Sequence, residues 1–160
     1  MEIFQSICGE IASLARVRDY GILWGGSTHP HEDTDASFEH AEELCRQFIV
    51  RKVSGVFFAP VELTTGQGEA NRKLAELLRD AGIPVILLDR DLQPCSGRSD
   101  FDLVGIDNMA GGYPLAEHLI KRGCKRITFV ARSLPAPTVD ARIAGVRESF
   151  ARHGIEPDPG

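Results

Sequence analysis

Asp102-Leu103-Val104-Gly105-Ile106-Asp107-Asn108-Met109-Ala110-Gly111-Gly112-Tyr113-Pro114-Leu115-Ala116-Glu117-His118-Leu119-Ile120 is the stretch that decides the fold. A short apolar run ends on two polar residues, passes through small ones and becomes a helical pattern. A basic–glycine break follows at Lys121-Arg122-Gly123, and then a new apolar run, Arg126-Ile127-Thr128-Phe129-Val130-Ala131. The stretch reads as strand, turn, helix, strand. Leu103 to Ile106 is the predicted strand. Pro114 would break a helix interior, so the helix is expected from about Gly112.

The same unit recurs on either side. Residues 2–19 read as a helix, with Ile3, Ile7, Ile11 and Leu14 at helical spacing, and Gly21 is read as its stop. Ile22-Leu23-Trp24 reads as a short buried strand. A helix over residues 36–52 carries Phe38, Ala41, Cys45 and Phe48 on one face, and residues 53–59 form a strand ending at Pro60. A third helix over residues 69–81 turns Leu74, Leu77, Leu78 and Ala81 inward and closes at Gly82. Pro84-Val85-Ile86-Leu87-Leu88 is the next strand, with its proline at the start, where a lost N–H matters least. A long polar connection over residues 89–102 leads to the opening stretch. After the run at residues 126–131, a loop with Pro135 and Pro137 leads to a fifth helix that buries Val139, Ile143, Val146 and Phe150 and stops at Gly154. The strands are continuous apolar runs, which implies a sheet covered on both faces. Alternation with helices implies a parallel α/β sheet with right-handed crossovers.

The chain has 160 residues, 42% hydrophobic and 26% charged, with a net charge of −5. That is an ordinary globular composition, and the acidic balance disfavours nucleic-acid binding by this chain itself. No apolar stretch reaches membrane-spanning length. Cys8, Cys45, Cys95 and Cys124 are scattered and read as small reduced core residues. His29-Pro30-His31-Glu32-Asp33 reads as a solvated loop rather than a metal cluster. Thr65-Gly66-Gln67-Gly68 and Ala110-Gly111-Gly112 lack the residues of a phosphate loop or dinucleotide fingerprint. No cofactor is implied, and nucleophile, base and orienting group do not occur together, which argues against an enzyme.

The motif VGIDN-x-x-GGY-x-x-x-EHLI resembles the effector-binding domain of lactose-repressor (LacI/GalR) type transcription regulators. Glu2 to Ile7, Asp19 to Trp24, Arg51 to Pro60, Ala81 to Arg90 and Asp140 to Arg147 are similar, in order, to further segments of that family. The likeness is closest to GntR-type regulators that carry a LacI-like sensor domain. The resemblance implies a periplasmic-binding-protein-like type I fold, with residues 1–122 as most of the N-terminal lobe and 123–160 as the beginning of the C-terminal lobe. It also implies a small-molecule effector, a sugar or related metabolite, bound between lobes whose closure controls DNA binding. The expected setting is cytoplasmic, in a homodimer that meets DNA only through a domain outside this chain. Because the pattern opens on a helix and stops where a strand is due, a fragment of a larger domain is expected. A sugar-binding protein of a transport system shares the fold and is the alternative.

The candidate ligand residues are Phe4, Asp89, Asp107, Asn108, Thr138, Asp140 and Arg142. In open α/β sheets ligands bind outside the C-terminal strand ends, where Asp89, Asp107 and Asn108 fall. Carboxylates and amides there can accept from hydroxyl groups, although turn and capping roles explain Asp107 and Asn108 equally well. Thr138 is expected to cap the fifth helix, and Asp140 lies in the same junction. From its position alone Arg142 reads as an exposed helix arginine like Arg147 and Arg152. The resemblance, through R-x-x-G at Arg142 and Gly145, makes it the effector-contacting arginine. The resemblance likewise makes Phe4 the aromatic that covers the ligand ring; ordinary core packing is the alternative reading of it.

Overall fold

The computed structural model describes residues 2–25, 34–60, 67–93, 97–131 and 136–156. The elements run α1 (Glu2–Val17), α2 (Thr34–Val50), β1 (Val56–Phe58), α3 (Gln67–Asp80), β2 (Val85–Leu88), β3 (Asp102–Val104), α4 (Asn108–Lys121) and α5 (Pro137–Arg152). Two compact units result, Met1–Leu44 and Cys45–Gly160. The first holds α1 and the start of α2, with Ile7 and Ile11 half-buried along α1. The loop with His29 and His31 lies outside the described residues, as does Cys95.

The second unit is built on a three-stranded parallel sheet, in the order β1-β2-β3. Val56 pairs with Val85 and Phe58 with Leu87, while Ile86 faces Asp102 and Leu88 faces Val104. Helix α3 joins β1 to β2 and buries Leu74, Ala75 and Leu78 together with Ile83 and Leu87. The apolar spacing placed Leu74 and Leu78 on this face; Ala75 joins them, while Ala81 is exposed past the helix end. Of the strands, β2 alone is largely buried. Phe57 of β1 is 54% exposed and Val104 of β3 is 62% exposed, so covered faces, expected for every strand, hold for the central one.

Two segments depart from the expected strands. Residues 22–24 and 126–131 pair with no strand among the described residues. An apolar run becomes a ladder only when a neighbour takes its N–H and C=O groups. The alternation rule cannot supply that neighbour. Ile127 instead packs beside the cluster formed by Ala116, Val146 and Phe150, together with Ile120 and Ile155.

Every described helix end carries a residue in the left-handed region. Gly82, Gly123 and Gly154 occupy it after α3, α4 and α5, at φ 77°, 84° and 64°. After α1 and α2 it is Asp19 (φ 58°) and Lys52 (φ 51°), so the stop assigned to Gly21 belongs to Asp19. In each case the following N–H returns to a carbonyl of the last helical turn: Tyr20 to Ala15 at 2.9 Å, Val53 to Phe48 at 3.2 Å, Ile83 to Leu78 at 3.0 Å. This is the six-to-one bond that satisfies orphan carbonyls at a helix terminus.

Helix α4 begins at Asn108, four residues before the expected start. Asp107 is its N-cap: the carboxylate accepts from the Ala110 N–H at 2.8 Å. Pro114 therefore lies inside the helix, and its missing donor leaves the Ala110 carbonyl without the usual partner four residues on. Helix α5 begins at Pro137, with Ala136 as N-cap and no side-chain cap bond; Thr138 is already inside the first turn. Capping, the expected job of Thr138, is thus not what it does. Proline at the first position needs no donor there.

Helices α4 and α5 touch through glycine. A Cβ built on Gly112 would overlap the Arg142 carbonyl oxygen and stand 2.8 Å from its carbonyl carbon. A Cβ on Gly145 would overlap the Met109 carbonyl oxygen and stand 2.8 Å from the Tyr113 nitrogen. The helices meet backbone to backbone, nearer than any side chain would permit. Cys124, read as a core residue, is exposed just past α4, whereas Cys45 is buried.

Candidate ligand-binding site

Because the strands are parallel, the residues that leave β2 and β3 emerge at one edge of the sheet. Asp89 follows β2 with φ 70°, and its N–H donates to the Val104 carbonyl at 2.8 Å. One residue on, the Arg90 side chain is buried and its Nη2 lies 3.0 Å from Asp89 Oδ2. Burial pushes the Arg90 pKa down from the ordinary arginine value. A guanidinium keeps its proton regardless, so Asp89 serves as its counter-ion. Arg90 was not among the sequence candidates. The available signal was an acid–base pair, Asp89-Arg90, directly after a continuous apolar strand, at the edge where polar groups converge.

Asp91 then orders the connection to β3. Its Oδ1 accepts from the N–H of Gln93 at 2.9 Å and of Ser99 at 3.0 Å. Arg98 Nε approaches Oδ2 at 3.5 Å. The Arg79 guanidinium lies 5.0 Å from the Phe101 ring centre and ties α3 to the end of this connection.

At the exit of β3 the two polar residues divide their work. Asp107 caps α4 and remains exposed. Asn108 turns inward and is only 7% exposed. Its Nδ2 donates to the Ile106 carbonyl at 3.2 Å, and its Oδ1 accepts from Arg142 Nε at 2.8 Å. Arg142 is exposed, two turns into α5, and among the described residues its Nη1 and Nη2 take no partner. The structure thus brings Asn108 and Arg142 into contact across 34 residues of sequence, with Asp107 adjacent.

Thr138 is half-buried and Asp140 exposed in the first turn of α5, where an acidic side chain suits the helix dipole. Among the described residues neither makes a side-chain hydrogen bond. Phe4 belongs to the first unit, half-buried near the start of α1. Among the described residues the edge presents one free guanidinium end, the carboxylates of Asp89, Asp107 and Asp140, and the Thr138 hydroxyl. Among the described residues of this edge no nucleophile is paired with a base. Such a set can donate to and accept from hydroxyl groups, and its guanidinium can pair with a carboxylate.

The fold is that of the effector-binding domains of LacI-type transcription regulators, periplasmic-binding-protein-like and built on a parallel sheet flanked by helices. Its relatives in sequence are bacterial transcription regulators of that kind. The regulator MalR of Streptococcus pneumoniae is 28% identical over 155 residues, 97% of this chain and 42% of that protein. The maltose regulon regulatory protein MalI of Escherichia coli is 29% identical over 114 residues, 71% of this chain and 31% of that protein. The crystal structure of CcpA from Lactococcus lactis matches 98% of this chain and 51% of its own with a TM-score of 0.72 at 22% identity. A sugar-binding regulator of the LacI family from Escherichia coli, complexed with phosphate, matches 98% and 50% with a TM-score of 0.73 at 18% identity. The regulator CelR in complex with cellobiose matches 75% and 34% with a TM-score of 0.57 at 24% identity. The chain therefore spans about half the length of these proteins or less. No family model matches the chain. Among the described residues no helix is long and apolar enough to cross a membrane.

Proposed function

We propose that this chain is the ligand-sensing part of a bacterial transcription regulator, that it carries out no catalysis, and that its effector is a sugar or a sugar acid. The observation that carries this reading is the Arg142 guanidinium. It is anchored through Nε, free at both Nη atoms and placed beside the C-terminal edge of a parallel sheet. The similarity to regulators whose names or complexes specify maltose, sugar or cellobiose supports the ligand class.

On this reading Arg142 forks onto the ligand, and Thr138, Asp140, Asp89 and Asp107 supply further polar contacts. Residues 1–122 form most of one lobe and residues from 123 begin the other. Lobe closure on the ligand biases the arrangement of two subunits, and with it a DNA-reading domain outside this chain. The regulator works in the cytoplasm as a homodimer. A gel-shift titration tests the reading: the full gene product is mixed with the DNA upstream of its own gene, with and without maltose, cellobiose or D-glucuronate. Binding that one of these changes is the expected result. Binding that none of them changes, or no binding at all, overturns it.

A further inference from the structure

We propose that Asn108 is a positioning residue for Arg142 rather than a ligand contact, and that by holding Nε it restricts Arg142 to ligands offering two adjacent acceptor oxygens end-on. This rests on the reading of Arg142 as the ligand-binding arginine and adds to it which edge of the guanidinium does the reading.

Both ends of the Asn108 amide are engaged. Its nitrogen donates to the Ile106 carbonyl, which fixes which way the amide faces. Its oxygen is thereby turned to Arg142 Nε at 2.8 Å. Buried at the first position of α4, the amide has few other orientations. The Arg142 backbone is held as well, since its carbonyl lies against Gly112 with no room for a Cβ. One side chain is thus fixed at its root by the helix seam and at its neck by the amide.

A guanidinium has two hydrogen-bonding edges. One joins Nε–H to an N–H of one terminal nitrogen; the other joins one N–H from each terminal nitrogen. With Nε–H engaged by Asn108, the first edge no longer offers its pair of donors. The end-on edge remains, two nearly parallel N–H groups directed outward. That edge fits both oxygens of a carboxylate or two vicinal hydroxyls of a sugar. An unanchored arginine would sample many rotamers and lose that entropy on binding; here the loss is taken during folding.

The test is a double-mutant cycle in the full gene product, with maltose, cellobiose and D-glucuronate as calorimetric probes. Nitrogen-edited proton NMR of the Arg142 Nε–H runs alongside. Asn108→Ala is expected to weaken the probe that binds by roughly ten- to a hundredfold, the scale of one hydrogen bond to a charged group. The same substitution in an Arg142→Ala background should change affinity by less than about twofold, because the two act as one unit. Asn108→Asp, which keeps an acceptor for Nε, should restore most of the loss. The Nε–H signal, slow to exchange with solvent in the parent and in Asn108→Asp, should exchange rapidly in Asn108→Ala. A loss that repeats undiminished in the Arg142→Ala background overturns the inference and makes Asn108 a contact in its own right, leaving Arg142 in the site. Unaltered affinity and unaltered Nε–H exchange in Asn108→Ala overturn it equally. Unaltered affinity in Arg142→Ala, or no binding of any probe, removes the underlying ligand reading instead and the inference with it.

Discussion

Gly111 and Gly112 are neighbours in α4, yet replacing each by alanine should move stability in opposite directions. In a helix interior alanine is favoured over glycine by about 1 kcal/mol. At Gly111 nothing lies within 4 Å of an added Cβ, so Gly111→Ala should gain about 0.5–1 kcal/mol. At Gly112 the added Cβ overlaps the Arg142 carbonyl oxygen and stands 2.9 Å from its Cα. Both are backbone atoms, so no rotamer change relieves the overlap and α5 must retreat. Retreat opens the contact among Ala116, Val146 and Phe150, and a gap of about 0.5–1 Å forfeits a quarter to a half of each dispersion contact. Overpacking of this kind costs about 2–4 kcal/mol at a backbone seam, which after the propensity gain leaves roughly 1–3 kcal/mol of net destabilisation. Urea denaturation followed by far-UV circular dichroism reads the difference directly as a shift in midpoint at constant slope. Equal midpoints for Gly111→Ala and Gly112→Ala would refute the seam as the contact that fixes α4 on α5.

Other outcomes follow from single contacts. Asp107→Ala removes the N-cap of α4 and should cost about 1 kcal/mol, read from the same denaturation curve. Lys52→Gly relieves a left-handed residue at the end of α2 and should stabilise by about 0.5–1 kcal/mol, whereas Gly82→Ala should destabilise by a similar amount; a melting curve for each decides the sign. Asp89→Leu strips the buried Arg90 guanidinium of its carboxylate and should destabilise by roughly 1–3 kcal/mol, with Asp89→Asn costing less because asparagine tolerates the same backbone conformation. With its charge of −5, the 160-residue chain alone should show no sequence-selective binding to duplex DNA in an anisotropy titration at physiological salt.

The parts of the fold legible in the sequence were those fixed by local pattern. Val85 to Leu88 reads as a buried strand because four consecutive apolar residues leave no polar face, and it is the sheet's central strand. Leu74 and Leu78, or Val146 and Phe150, declare one helix face by spacing alone. The rest depended on longer-range or competing effects. Pro114 reads as a start signal, but the Asp107 cap starts α4 earlier and the helix absorbs the proline. Asp19 and Lys52 hold left-handed turns that composition assigns to glycine. Residues 22–24 and 126–131 have the composition of strands, yet pairing is decided elsewhere in the chain. As candidates, the strand-end acids come from position and Arg142 from the resemblance. The grip of Asn108 on Arg142 joins residues too far apart in sequence for any spacing rule, and Gly145, quoted with Arg142 in one motif, has the separate task of admitting α4.

The most direct measurement is calorimetric titration of maltose, cellobiose and D-glucuronate into the full gene product and its Arg142→Ala variant, with a melting curve for each. At least one probe should bind the parent with one site per chain. Arg142→Ala should then weaken it by roughly 1.5–3 kcal/mol, on the order of ten- to a hundredfold or more, while the melting temperature holds. Arg142→Lys should recover little, because a point charge cannot reproduce the planar fork. Unchanged affinity in a well-folded Arg142→Ala protein would contradict the account and leave Arg142 an ordinary surface arginine.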